Sequence, residues 1–143
     1  EDGGLNRFDP KTKTFSFFAP SSGFTNIHGL CMVGDKLWVG TFSKGLKIVD
    51  TNTGNILKTY QKNASPRSLI DNSIFAICRT TTGDIYLGTM FGLLRYNEQT
   101  DDFDRIEELA GRFVYDIKED SGGNLWLATY VNGAYCYNVN EKK

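Results

Sequence analysis

The sequence predicts an all-β protein, a β-propeller fragment of about three and a half four-stranded antiparallel blades. Three observations predict it. A five-residue core recurs three times: any residue, an aromatic, Leu or Val, a small residue, then Thr. It reads Leu37-Trp38-Val39-Gly40-Thr41, Ile85-Tyr86-Leu87-Gly88-Thr89 and Leu125-Trp126-Leu127-Ala128-Thr129, with aromatics 48 and then 40 residues apart. The apolar runs are strand-length, and each is bounded by turn signals. Four antiparallel strands per 40 to 48 residues, repeated, is the signature of propeller blades. A stacked β-solenoid is the competing repeat architecture, but it does not need the hairpins.

Taken in chain order, residues 1–18 hold the end of one blade. Gly4-Leu5-Asn6-Arg7-Phe8-Asp9 matches the second half of the later units, and Pro10-Lys11-Thr12-Lys13 supplies a polar turn. Residues 27–62 form a complete blade around Gly29 to Asp50, with the hairpin at Gly34-Asp35 and a fourth strand at Ile56 to Tyr60. Residues 74–107 form the next, with turns at Thr82-Gly83-Asp84 and Glu98 to Asp101 and a fourth strand at Phe103 to Ile106. Residues 113–139 give three strands of a further blade, joined first through Gly122-Gly123-Asn124. Glycine and Asx suit the positive φ of tight turns. The runs LKIV, LLRY and AYCY are expected to be buried on both faces between blades. The aromatics at 38, 86 and 126 are expected to fill interblade space, and Gly40, Gly88 and Ala128 to mark close approach between sheets. Open edges and faces predict self-association, or contact with the remaining blades of a longer chain.

Composition excludes several classes of function. The chain has 143 residues with 16 Lys+Arg against 17 Asp+Glu, so no basic field attracts nucleic acid. No apolar run approaches the roughly 18 residues of a membrane span, so no membrane contact is expected in this segment. No basic start followed by an apolar core marks a leader. Cys31, Cys78 and Cys136 lack C-x-x-C spacing and are expected as buried structural thiols; with one histidine, His28, no metal site or cofactor is expected. No P-loop or Gly-x-Ser-x-Gly elbow is present, and no catalytic residue is assigned. The acidic run Asp101, Asp102, Asp104, Glu107, Glu108 reads as a solvated edge.

The units SIFAICRTTTGDIYLGTMFGLLRYN (73–97) and FVYDIKEDSGGNLWLATYVNGAYCYN (113–138) resemble the two-component regulator propeller repeat. The resemblance extends to the first unit and the partial N-terminal copy. Departures are the short Gly34-Asp35-Lys36 hairpin and Ala128 in place of Gly. The resemblance implies a periplasmic ligand-sensing propeller, the extracytoplasmic part of a hybrid two-component histidine kinase of the Bacteroides type, responding to oligosaccharides. The kinase, membrane helix and β-sandwich of such receptors do not lie in these residues. Alternatives are a propeller enzyme of the streptogramin-lyase type and a protein-binding scaffold.

Blade topology places the interblade loops and the second-to-third-strand loops on one face. The interblade loops, Ala19 to Asn26 and Lys62 to Asn72, are longer than the hairpins, and function concentrates in such loops. Aromatics beside Arg and Asp suit a sugar: ring faces cover C–H groups while polar groups satisfy hydroxyls. Phe42, Arg67, Asp71, Phe91, Arg112 and Tyr130 are the ligand-binding candidates. For each a structural role competes: the aromatics packing on a neighbouring blade, Arg67 and Asp71 capping their own loop. His28 is expected near the channel, as a satisfied structural histidine.

Overall fold

The computed structural model describes residues 4–19, 24 and 26–143. Most of the Ala19–Asn26 loop lies outside the described residues. The chain is all-β, with antiparallel strands in four sheets. Strands β1 (Leu5–Asp9) and β2 (Thr14–Ala19) form a two-stranded sheet. Blade 1 contains β3 (Ile27–Val33), β4 (Lys36–Thr41), β5 (Leu46–Asp50) and β6 (Ile56–Tyr60). Blade 2 contains β7 (Ile74–Arg79), β8 (Ile85–Thr89), β9 (Gly92–Asn97) and β10 (Asp102–Ile106). Blade 3 contains β11 (Val114–Glu119), β12 (Leu125–Thr129) and β13 (Gly133–Tyr137). A one-turn 3-10 helix, Glu107–Leu109, leads from β10 towards β11.

Successive side chains of a strand point to opposite faces, and here the two faces meet different blades. On β4, Trp38 packs forward onto blade 2, in a cluster with Ile74, Leu87, Leu94 and Phe103. Its neighbour Val39 points backward, against Leu5, Phe24 and Val49. Tyr86 on β8 repeats the forward contact onto blade 3, against Val114, Leu125 and Tyr137. Burying a large apolar side chain contributes roughly 1.5–3 kcal/mol, so each junction is held by several such terms.

The expectation for the core aromatics holds at two positions and fails at the third. Trp38 is 5% exposed and Tyr86 1%, but Trp126 is 50% exposed. The same split separates the third strands. Leu46 to Val49 are buried, whereas Ala134 and Cys136 of AYCY are exposed. The cause is geometric: these side chains face forward from blade 3, where no further blade covers them among the described residues. Cys136 is therefore not a buried thiol, and Cys31 and Cys78 are only half-buried. At the other end Phe8, paired with Phe15 across β1 and β2, is likewise open to solvent, as are Phe15 and Phe17.

The small residue of the core is explained by the next blade. A Cβ on Gly40 would lie 2.8 Å from the Ile74 carbonyl oxygen, and one on Gly88 2.8 Å from that of Val114. The core threonines close the following turn. Thr41 Oγ1 donates to the Gly45 carbonyl at 2.8 Å and Thr89 Oγ1 to that of Gly92 at 2.9 Å. Both hydroxyls also accept a backbone N–H, from Lys44 and Phe91.

Candidate functional site

The interblade loops and the second-to-third-strand turns do share one face, joined by backbone hydrogen bonds. Phe42 N–H donates to Asn26 O at 2.9 Å, Gly45 N–H to Asn72 O at 2.8 Å, Gly111 N–H to Phe91 O at 2.9 Å and Tyr130 N–H to Phe113 O at 3.0 Å. Immediately beyond these anchors, each blade's first strand carries a bulge. In β3, Ile27 pairs with Thr41 and Gly29 with Gly40, leaving His28 outside the register. In β7, Ile74 pairs with Thr89 and Ala76 with Gly88, leaving Phe75. In β11, Val114 pairs with Thr129 and Asp116 with Ala128, leaving Tyr115. A bulge bends the strand and re-aims its extra side chain. In all three blades that side chain is a ring.

The re-aimed rings meet. His28 and Phe75 lie 4.9 Å apart between centroids, and Phe75 and Tyr115 lie 5.8 Å apart in a stacked arrangement. Phe42 sits edge-on to Phe75 at 6.1 Å, and Phe113 packs on Phe75 at 4.4 Å and on Tyr130 at 5.5 Å. Tilted and edge-on pairs of this kind are the favoured aromatic geometries. The result is a six-ring array crossing three blades. Phe75 is its buried centre at 9% exposure, while His28, Phe42, Tyr115 and Tyr130 reach solvent. The turn after Tyr130 places Val131 at φ 65° and leaves it 84% exposed. Positive φ in a β-branched residue is strained, and strained backbone clusters at functional sites. The array offers apolar ring faces, two phenol hydroxyls and an imidazole, a surface able to cover C–H groups and meet hydroxyls together.

The structure gathers two of the six candidates, Phe42 and Tyr130, in this array. Phe91 is exposed on the same face but stands outside the array's ring pairs. Counted from the core Thr to the next Gly, its turn is one residue shorter than those of blades 1 and 3, and the residue after Thr89, matching Phe42 and Tyr130, is Met90. Arg112 lies over the Tyr135 ring at 5.6 Å. Arg67 clamps β10, donating to Asp102 from Nε at 2.5 Å and Nη2 at 2.7 Å and pairing with Asp104 at 2.9 Å. Those carboxylates raise the Arg67 pKa and Arg67 lowers that of Asp102. Asp71 accepts the Ser73 N–H at 2.8 Å within its own loop.

Phe75, Phe113 and Tyr115 escaped the sequence reading, and His28 was assigned a structural role. The available signal was positional: a ring follows the opening β-branched residue in each first strand, after Ile27, Ile74 and Val114. Burial pushes the Cys31 and Cys78 thiols up, away from the thiolate form. Among the described residues no group of three or more His, Cys, Asp or Glu is placed to hold a metal ion. No helix among them is long and apolar enough to cross a membrane.

Comparison with known proteins agrees with this architecture. Residues 68–91 and 108–131 match the family model described as two component regulator propeller. The chain is 28% identical over 161 aligned positions to histidine kinase P4 of Formosa agariphila, covering all of this chain and 12% of that protein. Two solved structures of B. thetaiotaomicron proteins, both extracellular domains assigned to hybrid two component systems, superpose with TM-scores of 0.79 and 0.77. Their identities are 24% and 21%; each alignment covers 99% of this chain, and 19% and 22% of theirs. The chain thus spans a small part of each relative's length. It is a β-propeller segment whose residues 68–91 and 108–131 are similar to the two component regulator propeller model.

Proposed function

We propose that this chain is part of the ligand-sensing propeller of a hybrid two-component receptor, held outside the cytoplasm in the periplasm. Its role there is recognition without catalysis; kinase activity belongs to another part of the polypeptide. The observation that carries the proposal is the pair of matched repeats, each of which contributes rings to the array: Phe75 from the first, Phe113, Tyr115 and Tyr130 from the second. The ligand class is an oligosaccharide, whose C–H faces suit stacked rings and whose hydroxyls suit the tyrosine phenols. The uncovered forward face of blade 3 and the open Phe8, Phe15 and Phe17 are sites for further blades of the same polypeptide, or for self-association of the isolated chain.

The test is calorimetry of the intact receptor ectodomain against a broad oligosaccharide panel, repeated with Tyr115→Ala. Binding to one glycan class, weakened by the substitution without loss of thermal stability, is the expected result. Silence across the panel removes the oligosaccharide assignment, and binding indifferent to Tyr115 removes the array from the site.

A further inference from the structure

The forward face of blade 3 departs from the forward faces of the other blades in two opposite ways. Along its first strand it is overfilled. In blade 1, a Cβ on Gly29 would lie 3.0 Å from Ile77 Cγ1 and 3.3 Å from the Ala76 carbonyl carbon, and one on Gly40 2.8 Å from Ile74 O. Gly29 and Gly40 are paired in register, and the matching pair in blade 3 is Asp116 and Ala128. The next forward side chain of β11, Lys118, pairs with Asp116 at 3.0 Å, and the two stay 75% and 50% exposed. Blades 1 and 2 hold the half-buried Cys31 and Cys78 at that position. Along the third strand the face is underfilled. Ala134 and Cys136 of β13 stand where blade 1 buries Leu46 and Ile48. Between the two halves, Trp126 keeps the position from which Trp38 and Tyr86 enter the next blade, and Asp120 Oδ2 accepts its indole N–H at 2.9 Å.

We propose that this face receives a further blade of the same polypeptide at a wedge-shaped junction, open to water along β11 and closed along β13. The inference rests on reading the chain as part of a longer propeller, and goes beyond that reading by giving this junction a shape unlike the other two. Carbon atoms in contact sit about 3.5–4.0 Å apart. The Cβ of Ala128 alone therefore holds an incoming first strand off by roughly 1 Å relative to the 2.8 Å approach at Gly40 and Gly88. The Asp116 side chain adds to that displacement. Covering the Asp116–Lys118 pair closely would strip water from both charges, a cost that their mutual attraction seldom repays. A gap along β11 leaves them hydrated. Along β13 the small Ala134 and Cys136 leave room beside the Trp126 ring for an apolar side chain of the partner, and burial of that ring supplies the attraction. The surface that fits is thus apolar opposite β13 and polar opposite β11.

The test uses the intact receptor ectodomain and reads two residues of this face by peptide mass spectrometry. Hydroxyl-radical oxidation reports on Trp126, with the buried Trp38 as the protected standard. Acetylation by an N-hydroxysuccinimide ester reports on Lys118, with Lys11 as the exposed standard. Trp126 is expected to be protected as Trp38 is. Lys118 is expected to react within about fivefold of Lys11, the most that an exposed ion pair of about 1 kcal/mol holds an amine back. Slower acetylation of Lys118, with Trp126 protected, describes a junction closed along both strands and overturns the proposal alone. Free oxidation of Trp126 shows that no blade covers the face; it overturns the proposal together with the reading of this face as a seat for further blades, and leaves the glycan test of the array standing. A variant measures the same spacing independently. Ala128→Gly in the ectodomain should leave the melting temperature level or slightly lower, because no clash is there to relieve. A rise would show Ala128 pressed against a strand at the spacing of the other junctions, and overturns the wedge.

Discussion

Substituting Gly88 by alanine tests the blade junction at its tightest point. The added Cβ would lie 2.8 Å from Val114 O, 2.9 Å from Val114 Cγ1 and 3.3 Å from Ala76 Cβ. Ordinary carbon contacts sit at about 3.5–4.0 Å, so β11 must retreat by roughly half an ångström. Two of the three obstructing atoms belong to Val114, which is wholly buried. Overpacking of this kind costs about 1–3 kcal/mol. The loss of unfolded-chain freedom on replacing glycine returns about 0.4–1 kcal/mol. The net expectation is a loss of about 1–2 kcal/mol. With unfolding entropy of about 2.1 cal/mol/K per residue over 143 residues, that lowers the melting temperature by about 3–7 °C. Ala128 holds the same position in blade 3 with no strand against it among the described residues, so Ala128→Gly relieves nothing. It loses only the roughly 0.5–1 kcal/mol of a strand glycine. Urea unfolding followed by fluorescence measures both, with an unchanged m-value as the check on the comparison. A Gly88→Ala midpoint equal to or above that of the parent would refute the close-approach explanation.

Thr89→Val leaves the Gly92 carbonyl and Phe91 N–H without their buried partner, and a loss of about 1–3 kcal/mol is expected in the same urea assay. Asp120 accepts Trp126 Nε1–H at 2.9 Å and the N–H groups of Asn124 and Gly122, and these donors pull its pKa from 3.8 down to about 2. Because the folded value is the lower one, its contribution is complete above the unfolded value and fades as pH falls towards 2. The Trp126 indole N–H signal should therefore shift between pH 4 and pH 2, and a static signal would contradict the assignment. Lys58 and Asp101 are each close to half exposed, so a double-mutant cycle to alanine should return a coupling below about 1 kcal/mol. A coupling of several kcal/mol would show that solvent screens the pair far less than its exposure implies.

The blades were legible because one physical demand recurs in every unit. Two sheets approaching face to face require a small residue at one point and an aromatic beside it, and Gly40 with Trp38 and Gly88 with Tyr86 satisfy it at fixed spacing. The exposure of Trp126 was not legible, because its own sequence is that of an interior blade and it differs only in having no further blade against it among the described residues. The array was half legible. Phe42 and Tyr130 follow the Thr of the core and were found from it. Phe75 and Tyr115 lie in first strands whose sequences mark a strand but not its irregularity, and a bulge leaves no mark in composition. Arg67 was legible only as a loop residue, because the carboxylates that hold it, Asp102 and Asp104, stand far along the chain on β10.

The bulges at His28, Phe75 and Tyr115 have a bearing on how such a surface diversifies. In those strands Gly29, Ile74, Ala76, Val114 and Ile117 are buried against one blade face or the other, and exchanging them disturbs a junction. The bulged residue belongs to neither series. A blade can thus trade imidazole for phenyl or phenol at one position while its two interfaces stay as they are. Ring chemistry at the bulge and architectural packing are written in separate letters of the same strand, so, on the proposed reading of the array, ligand preference would change by substitution at the bulges without a new core.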